Sequence, residues 1–212
     1  MGADEAWARK IRHLLAESEV TLLNLIGAPG SGKTTLLEKT ASRLGRRLRF
    51  AVLEGDVETT IDAERMRAVG VRVSQLLTGG ACHLPARLVH RGLAGLPLTE
   101  LDMVIVENVG NLICPAEFDI GEKAKVAVLS VAEGDEKPLK YPALFREASA
   151  VVLTKTDLLP YVQFDVAACL RHLRRIQPEI SVFQVSAKDG AGLEDWVAWV
   201  SRQHPGKRPG QG

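Results

Sequence analysis

The sequence predicts an α/β fold, a mostly parallel sheet with helices on both faces. Two observations predict it. Short, almost wholly apolar runs alternate with stretches of helical spacing, the pattern of buried parallel strands joined by crossover helices. The first apolar run, Val20 to Ile26, also passes straight into a Gly-rich turn, Gly27-Ala28-Pro29-Gly30-Ser31-Gly32-Lys33-Thr34, and a helical stretch follows it.

Ahead of that strand, Ala6, Trp7, Ile11, Leu14 and Leu15 fall near one face of a helix over 3–16. This is expected to be an accessory N-terminal helix, residues 1–19, before a main domain over 20–203. After the turn, Thr34 to Leu44 reads as helix and Arg49 to Leu53 as a second strand. Ile61 to Val69 looks helical and Val71 to Leu76 extended. Gly79-Gly80 breaks the chain before a helical stretch from about Cys82 to Leu93. Met103 to Val106, Ala124 to Val131 and Ala150 to Leu153 are further Val-rich strands. Lys137 and Lys140 fall in a loop between strands, beside Pro138 and Pro142. Phe164 to Ile176 is helical, Val182 to Val185 extended, and Leu193 to Val200 the last helix. The polar tail over 204–212, with its Pro and Gly, is expected to be disordered. There is no internal repeat.

At 212 residues, 46% apolar and 25% charged, the chain can bury the core of one globular domain. A net charge of +1 gives no support for an electrostatic nucleic-acid or polybasic membrane binder, and neither is expected as a partner. No apolar run approaches the roughly 18 residues of a membrane span, and Met1 to Glu19 has no signal-like apolar core, so a cytoplasmic protein is expected. Three cysteines cannot close a disulfide framework and read as core residues or metal ligands.

The turn matches G-x-x-x-x-G-K-[ST], the signature of a P-loop NTPase fold. Its glycines let backbone N–H groups converge on phosphate, and the helix that follows aims its positive end at the same anion. Gly27, Gly30, Ser31, Gly32, Lys33, Thr34 and Thr35 are therefore the nucleotide-phosphate candidates. Lys33 reaches the outer phosphates and the Thr34 hydroxyl holds Mg2+. Acids at later strand ends should complete the magnesium site. Glu107 ends the run Val104-Ile105-Val106, and Asp56 lies just past the second strand. Asp62 is a weaker candidate, since it can cap a helix beginning at Ala63.

Thr154-Lys155-Thr156-Asp157 and Ser186-Ala187-Lys188 each follow an apolar strand. They look like the guanine-specificity elements of GTPases. An aspartate in the plane of guanine accepts from N1–H and the exocyclic amine, a donor pair that adenine lacks. Lys155 packs along the base, and Ala187 offers a backbone N–H. Thr154 stands where Asn is commoner. GTP and GDP are the expected ligands.

Cys82-His83 follows the Gly pair, and Cys114 follows Glu107 in Glu107-Asn108-Val109-Gly110-Asn111-Leu112-Ile113-Cys114-Pro115. Two thiolates and an imidazole suit Ni2+ or Zn2+ and leave a fourth position for water or a residue of a second subunit. Cys169, in an apolar helical stretch, reads as core.

These elements together resemble the HypB family, GTPases that help insert nickel into nickel–iron hydrogenase. The resemblance runs from about Val20 to Val200. It is carried by Gly-Ala-Cys-His at 80–83, the Glu-to-Pro segment at 107–115, Glu-Gly-Asp-Glu-Lys-Pro-Leu-Lys-Tyr-Pro at 133–142 and Asp-Leu-Leu-Pro-Tyr-Val at 157–162. It implies a dimerising G-domain, a homodimer formed with GTP and metal, and a metal site at the subunit interface near Cys82, His83 and Cys114. It also implies a HypA-type accessory protein and a hydrogenase large-subunit precursor as partners. Many members carry a Cys- or His-rich N-terminal stretch, whereas here nothing before Val20 is a cysteine and only His13 is present.

Three other readings compete, and against one of them, a metal-binding module with a degenerate nucleotide site, stand the intact Lys33 and Thr34. A sister GTPase serving urease or a cobalamin enzyme is another, although the urease type would place Pro between Cys and His. A small-molecule kinase on the same scaffold leaves the Thr-Lys-x-Asp and Ser-Ala-Lys elements unexplained.

Overall fold

The computed structural model describes residues 3–45, 47–56 and 61–204. Among these, seven parallel strands form one sheet in the order β3-β2-β4-β1-β5-β6-β7. The strands are β1 (Thr21–Gly27), β2 (Phe50–Asp56), β3 (Arg72–Leu77), β4 (Met103–Glu107), β5 (Ala124–Ser130), β6 (Ala148–Thr154) and β7 (Ser181–Gln184). Because all run the same way, their carboxyl ends share one edge, where open α/β sheets bind ligands.

Successive residues of β1 feed opposite faces, as strand geometry requires. Leu23 and Leu25 join a core with α2 (Lys33–Leu44) and α9 (Leu193–Gln203). Leu22 packs in a second core with α1 (Ala3–Glu17) and α4 (Ala86–Ala94), and Ile26 in a third with α7 (Pro142–Glu147) and α8 (Val166–Ile176). The N-terminal helix is thus built into the fold: Ile11 and Leu15 are buried against the residues of α4.

Several boundaries differ from the sequence reading. The helix expected from Cys82 begins at Ala86 instead. Pro85, with φ −64° and ψ 145°, stands ahead of it, and a residue before proline is pushed away from helical ψ. Cys82 and His83 therefore lie in a bend. Lys137 and Lys140 lie on a single helical turn, α6 (Lys137–Lys140), rather than in a loop; Pro138 suits a first turn because its missing N–H would have no partner there. The helix α3 (Ile61–Ala68) starts before Asp62, so that residue is not its cap. The helix α8 starts at Val166 rather than Phe164, because Asp165 caps it by accepting from the Ala168 N–H at 2.9 Å. The expected disorder over 204–212 concerns, beyond His204, residues outside the described ones.

Candidate functional site

A cavity of about 520 Å3 opens at the carboxyl edge, over the turn between β1 and α2. Gly32 adopts φ 94° at the start of α2, a left-handed conformation that side chains resist. Lys33, 7% exposed, folds back so that Nζ donates to the carbonyls of Gly27 and Ala28, both at 3.2 Å. Ser31 is fully buried, and its hydroxyl has no hydrogen-bond partner among the described residues. The Thr34 hydroxyl donates to Glu107 Oε1 at 2.8 Å. The turn, Lys33, Thr34 and Glu107 are thus brought together as the sequence suggests. The adjacent hydroxyl and carboxylate are hard oxygen donors of the kind Mg2+ takes.

Two polar residues at this cavity were missed by the sequence reading. Glu54, 4% exposed, lies opposite Glu107 in the β2–β4 register and lines the cavity. An acid inside an apolar strand was the available signal. Asp56, named in its place, ends β2, and its side chain lies outside the described ones. Arg65 reaches from α3 and donates to Thr35 Oγ1 at 3.2 Å and Glu38 Oε2 at 2.8 Å.

The proposed base elements adjoin the phosphate turn. Thr154, at the end of β6, donates to the Ser31 carbonyl at 2.5 Å. Lys155 takes φ 58° and extends Nζ to the Gly30 carbonyl at 2.6 Å. The Ser186 hydroxyl donates to Asp157 Oδ1 at 3.1 Å. Ala187 joins Thr35, Leu36, Thr154, Lys155 and Val185 around a slot of about 70 Å3. Lys188 follows on the same loop, where the Asp189 N–H reaches Ser186 Oγ at 3.4 Å.

The segment after Glu107 runs hard against the phosphate turn. A Cβ on Gly110 would lie 2.7 Å from Pro29 Cγ, so only glycine fits. Cys114 then opens the short helix α5 (Cys114–Glu117). The neighbouring Cys82 thiol, with some loss of solvent, pushes the Cys114 pKa up, against the Asn111 side chain and a backbone N–H that pull it down. Cys82 Sγ also lies 3.7 Å from His83 Nδ1, and the His83 ring stacks on Phe118 at 4.0 Å. The three soft donors are neighbours in pairs. Among the described residues, no three His, Cys, Asp or Glu side chains are gathered closely enough to hold an ion. Cys169 is fully buried and burial pushes its thiol up to about 12, as a core residue requires.

The parallel sheet, the phosphate turn and the Thr34–Glu107 pair define a P-loop GTPase. The family model described as CobW/HypB/UreG, nucleotide-binding domain, matches residues 21–184. The chain belongs to this family and, within it, to HypB. It is 49% identical over 203 residues to the hydrogenase maturation factor HypB of Azotobacter vinelandii, spanning 96% of this chain and 67% of that protein. It is 38% identical over 193 residues to the hydrogenase/urease maturation factor HypB of Helicobacter pylori strain J99, spanning 89% of this chain and 79% of that protein. The crystal structure of HypB from Helicobacter pylori in complex with nickel superposes with a TM-score of 0.92 at 36% identity, over 96% of both chains. Among the described residues, no helix is long and apolar enough to cross a membrane.

Proposed function

We propose that this chain is a GTP-hydrolysing nickel metallochaperone and regulator for the maturation of nickel–iron hydrogenase. The observation that carries the reading is one segment with two ends. Glu107 meets the Thr34 hydroxyl at the phosphate cavity, and Cys114, on the same segment, meets Cys82 at the soft donors. Lys33 and the N–H groups of the turn bind the β- and γ-phosphates, while Asp157, Lys155 and Ala187 read guanine. Thr34 and Glu107, with Asp56, hold Mg2+, which neutralises charge building on the phosphates during transfer to water. Cys82, His83 and Cys114 carry the nickel cargo, and zinc fits the same donor set. Two thiolates and an imidazole leave a position open, which supports a shared site in a GTP-dependent homodimer. A HypA-type protein and the hydrogenase large-subunit precursor are the partners this reading requires, in the cytoplasm.

A second reading, service to urease, is favoured by the dual name of the Helicobacter pylori relative. The adjacency of Cys82 and His83 supports the hydrogenase reading over it.

The test is GTP titration with and without nickel. Wild type is expected to shift its GTP affinity by about 5- to 150-fold on adding nickel, and linkage makes GTP shift nickel affinity by the same factor. Cys114→Ala should keep basal GTP binding and lose the shift, and Cys169→Ala should keep both. A full shift in Cys114→Ala would remove Cys114 from the metal site.

A further inference from the structure

The central strand β1 carries one residue its apolar surroundings do not explain. Asn24 is fully buried between β4 and β5, where an amide is costly unless each of its groups is paired. Its partners lead in two directions. Asn108, 2% exposed and next in sequence to Glu107, accepts two backbone N–H groups at Oδ1, from Leu84 at 3.1 Å and from Val109 at 3.0 Å. That fixes the amide orientation, so Nδ2 donates to Asn24 Oδ1 at 3.1 Å. Asn24 Nδ2 in turn donates to Glu122 Oε1 at 3.3 Å. Glu122 accepts the Ile120 N–H at Oε2, 2.8 Å away, and lies 3.9 Å from Lys125 Nζ. Lys125 completes the chain by donating to the Ala116 carbonyl at 2.7 Å.

The ends of this chain are its significant feature. Leu84 directly follows His83. Ala116 is two residues past Cys114. Asn108 directly follows the acid at the phosphate cavity. The Asn108 N–H also bonds the Leu25 carbonyl of β1 at 3.0 Å, which anchors the pivot to the strand that feeds the phosphate turn. Buried polar chains of this kind have few satisfied arrangements, so a shift at one member must be matched at the others. Burial pushes the Glu122 carboxyl up, which makes the donors around it necessary to its place.

We infer that the buried chain Asn108–Asn24–Glu122–Lys125 is the positioning device that transmits the nucleotide state to the nickel donors, by holding the Cys82-His83 bend and the Cys114 turn to the strand end that bears Glu107. The inference rests on the proposed coupling of nickel to GTP and names the residues that carry it. None of Asn24, Glu122 or Lys125 lines the phosphate cavity, so all three act through other groups.

The experiment measures Ni2+ affinity of the full chain by thiolate-to-nickel charge-transfer absorption. One arm contains Mg2+ and GDP, the other Mg2+ and a non-hydrolysable GTP analogue. Wild type should show a ratio of nickel dissociation constants within about 5- to 150-fold. Asn24→Leu, with the same branching but apolar, should bring the ratio below about twofold, while GTP hydrolysis with Mg2+ and no nickel, and GTP affinity without nickel, stay at wild-type values. Lys125→Met, at the more accessible end, should lower the ratio in a protein of unchanged melting temperature, and Lys125→Arg should restore it. A wild-type ratio in folded Lys125→Met or in Asn24→Leu overturns the inference. A wild-type protein whose nickel affinity ignores the nucleotide would instead overturn the coupling itself, and this inference with it.

Discussion

Lys33, Thr34 and Glu107 are each less than a tenth exposed, and each holds a partner in the structure. Cys82, by contrast, is exposed with its Sγ 3.7 Å from His83 Nδ1, and Cys114 is half-buried under the influence of Cys82 and Asn111. The two regions share one sheet edge but are held by different means. The phosphate cradle hangs directly from strand ends and a helix start, so the sheet that folds the protein also shapes the site. The soft donors sit on a bend before α4 and a single turn after β4, one connection removed from the sheet. The cradle is therefore preorganised, and the donors take their geometry from whatever orders the connecting segments. The proposed metal site should then respond to the nucleotide region through those segments, with nucleotide binding in the absence of nickel needing nothing from the thiols.

The largest break in that comparison should come from Lys33→Ala. Removing a preorganised charge from developing phosphate charge costs about 10²–10³ in rate. Single-turnover GTP hydrolysis should fall by that order, while nickel binding without nucleotide is retained. Hydrolysis at the wild-type rate would remove Lys33 from the phosphate site.

Asp157→Asn should have the next largest effect. A hydrogen bond to a charged group contributes about 1.5–3 kcal/mol, so GTP affinity should fall by roughly 10- to 100-fold. Xanthosine triphosphate, whose extra carbonyl wants the donor that Asn supplies, should gain. Competition binding of the two nucleotides checks this, and an unchanged GTP dissociation constant means another group reads the base.

The smallest effect belongs far from both regions. Asp102 precedes β4 and accepts from Arg49 N at 2.8 Å, Nε at 3.1 Å and Nη2 at 2.6 Å. Burial alone would push its carboxyl up, but these bonds and the Arg49 charge outweigh it and hold the pKa below the ordinary value. A depressed folded pKa means that the pair stabilises above the unfolded carboxylate value of about 3.9 and loses this progressively as pH falls through the folded value. Arg49 is 44% exposed, so screening limits the contribution to about 1 kcal/mol. Asp102→Asn should lower the melting temperature by a few degrees at pH 7, flatten the acid limb and leave GTP affinity alone. A nucleotide effect would show that the two edges of the sheet are coupled.

Much of the cradle was legible in the sequence because it is local. The stretch from Gly27 to Thr34 carries its own turn chemistry, and apolar runs such as Val104 to Val106 announce strands buried on both faces. The proposed base elements stand out for the same reason, each being a short motif after a strand. Cys82 and His83 stand out as proposed ligands by residue type alone, and their setting differs from the expected helix start because Pro85 is a stronger helix boundary than the periodicity that follows suggests.

What the sequence by itself determined, then, is the alternation of strands and helices, the phosphate turn and the residue types at the site, since each follows from local period and local turn chemistry. Strand order was decided by tertiary structure, because pairing depends on contacts between segments far apart in the chain. Placing β4 between β1 and β2 sets Glu107 against Thr34, Glu54 opposite Glu107 and Asn108 within reach of Asn24. It also lets the segment after Glu107 pass over Pro29 on its way to Cys114, whose meeting with Cys82 no spacing in the sequence could show.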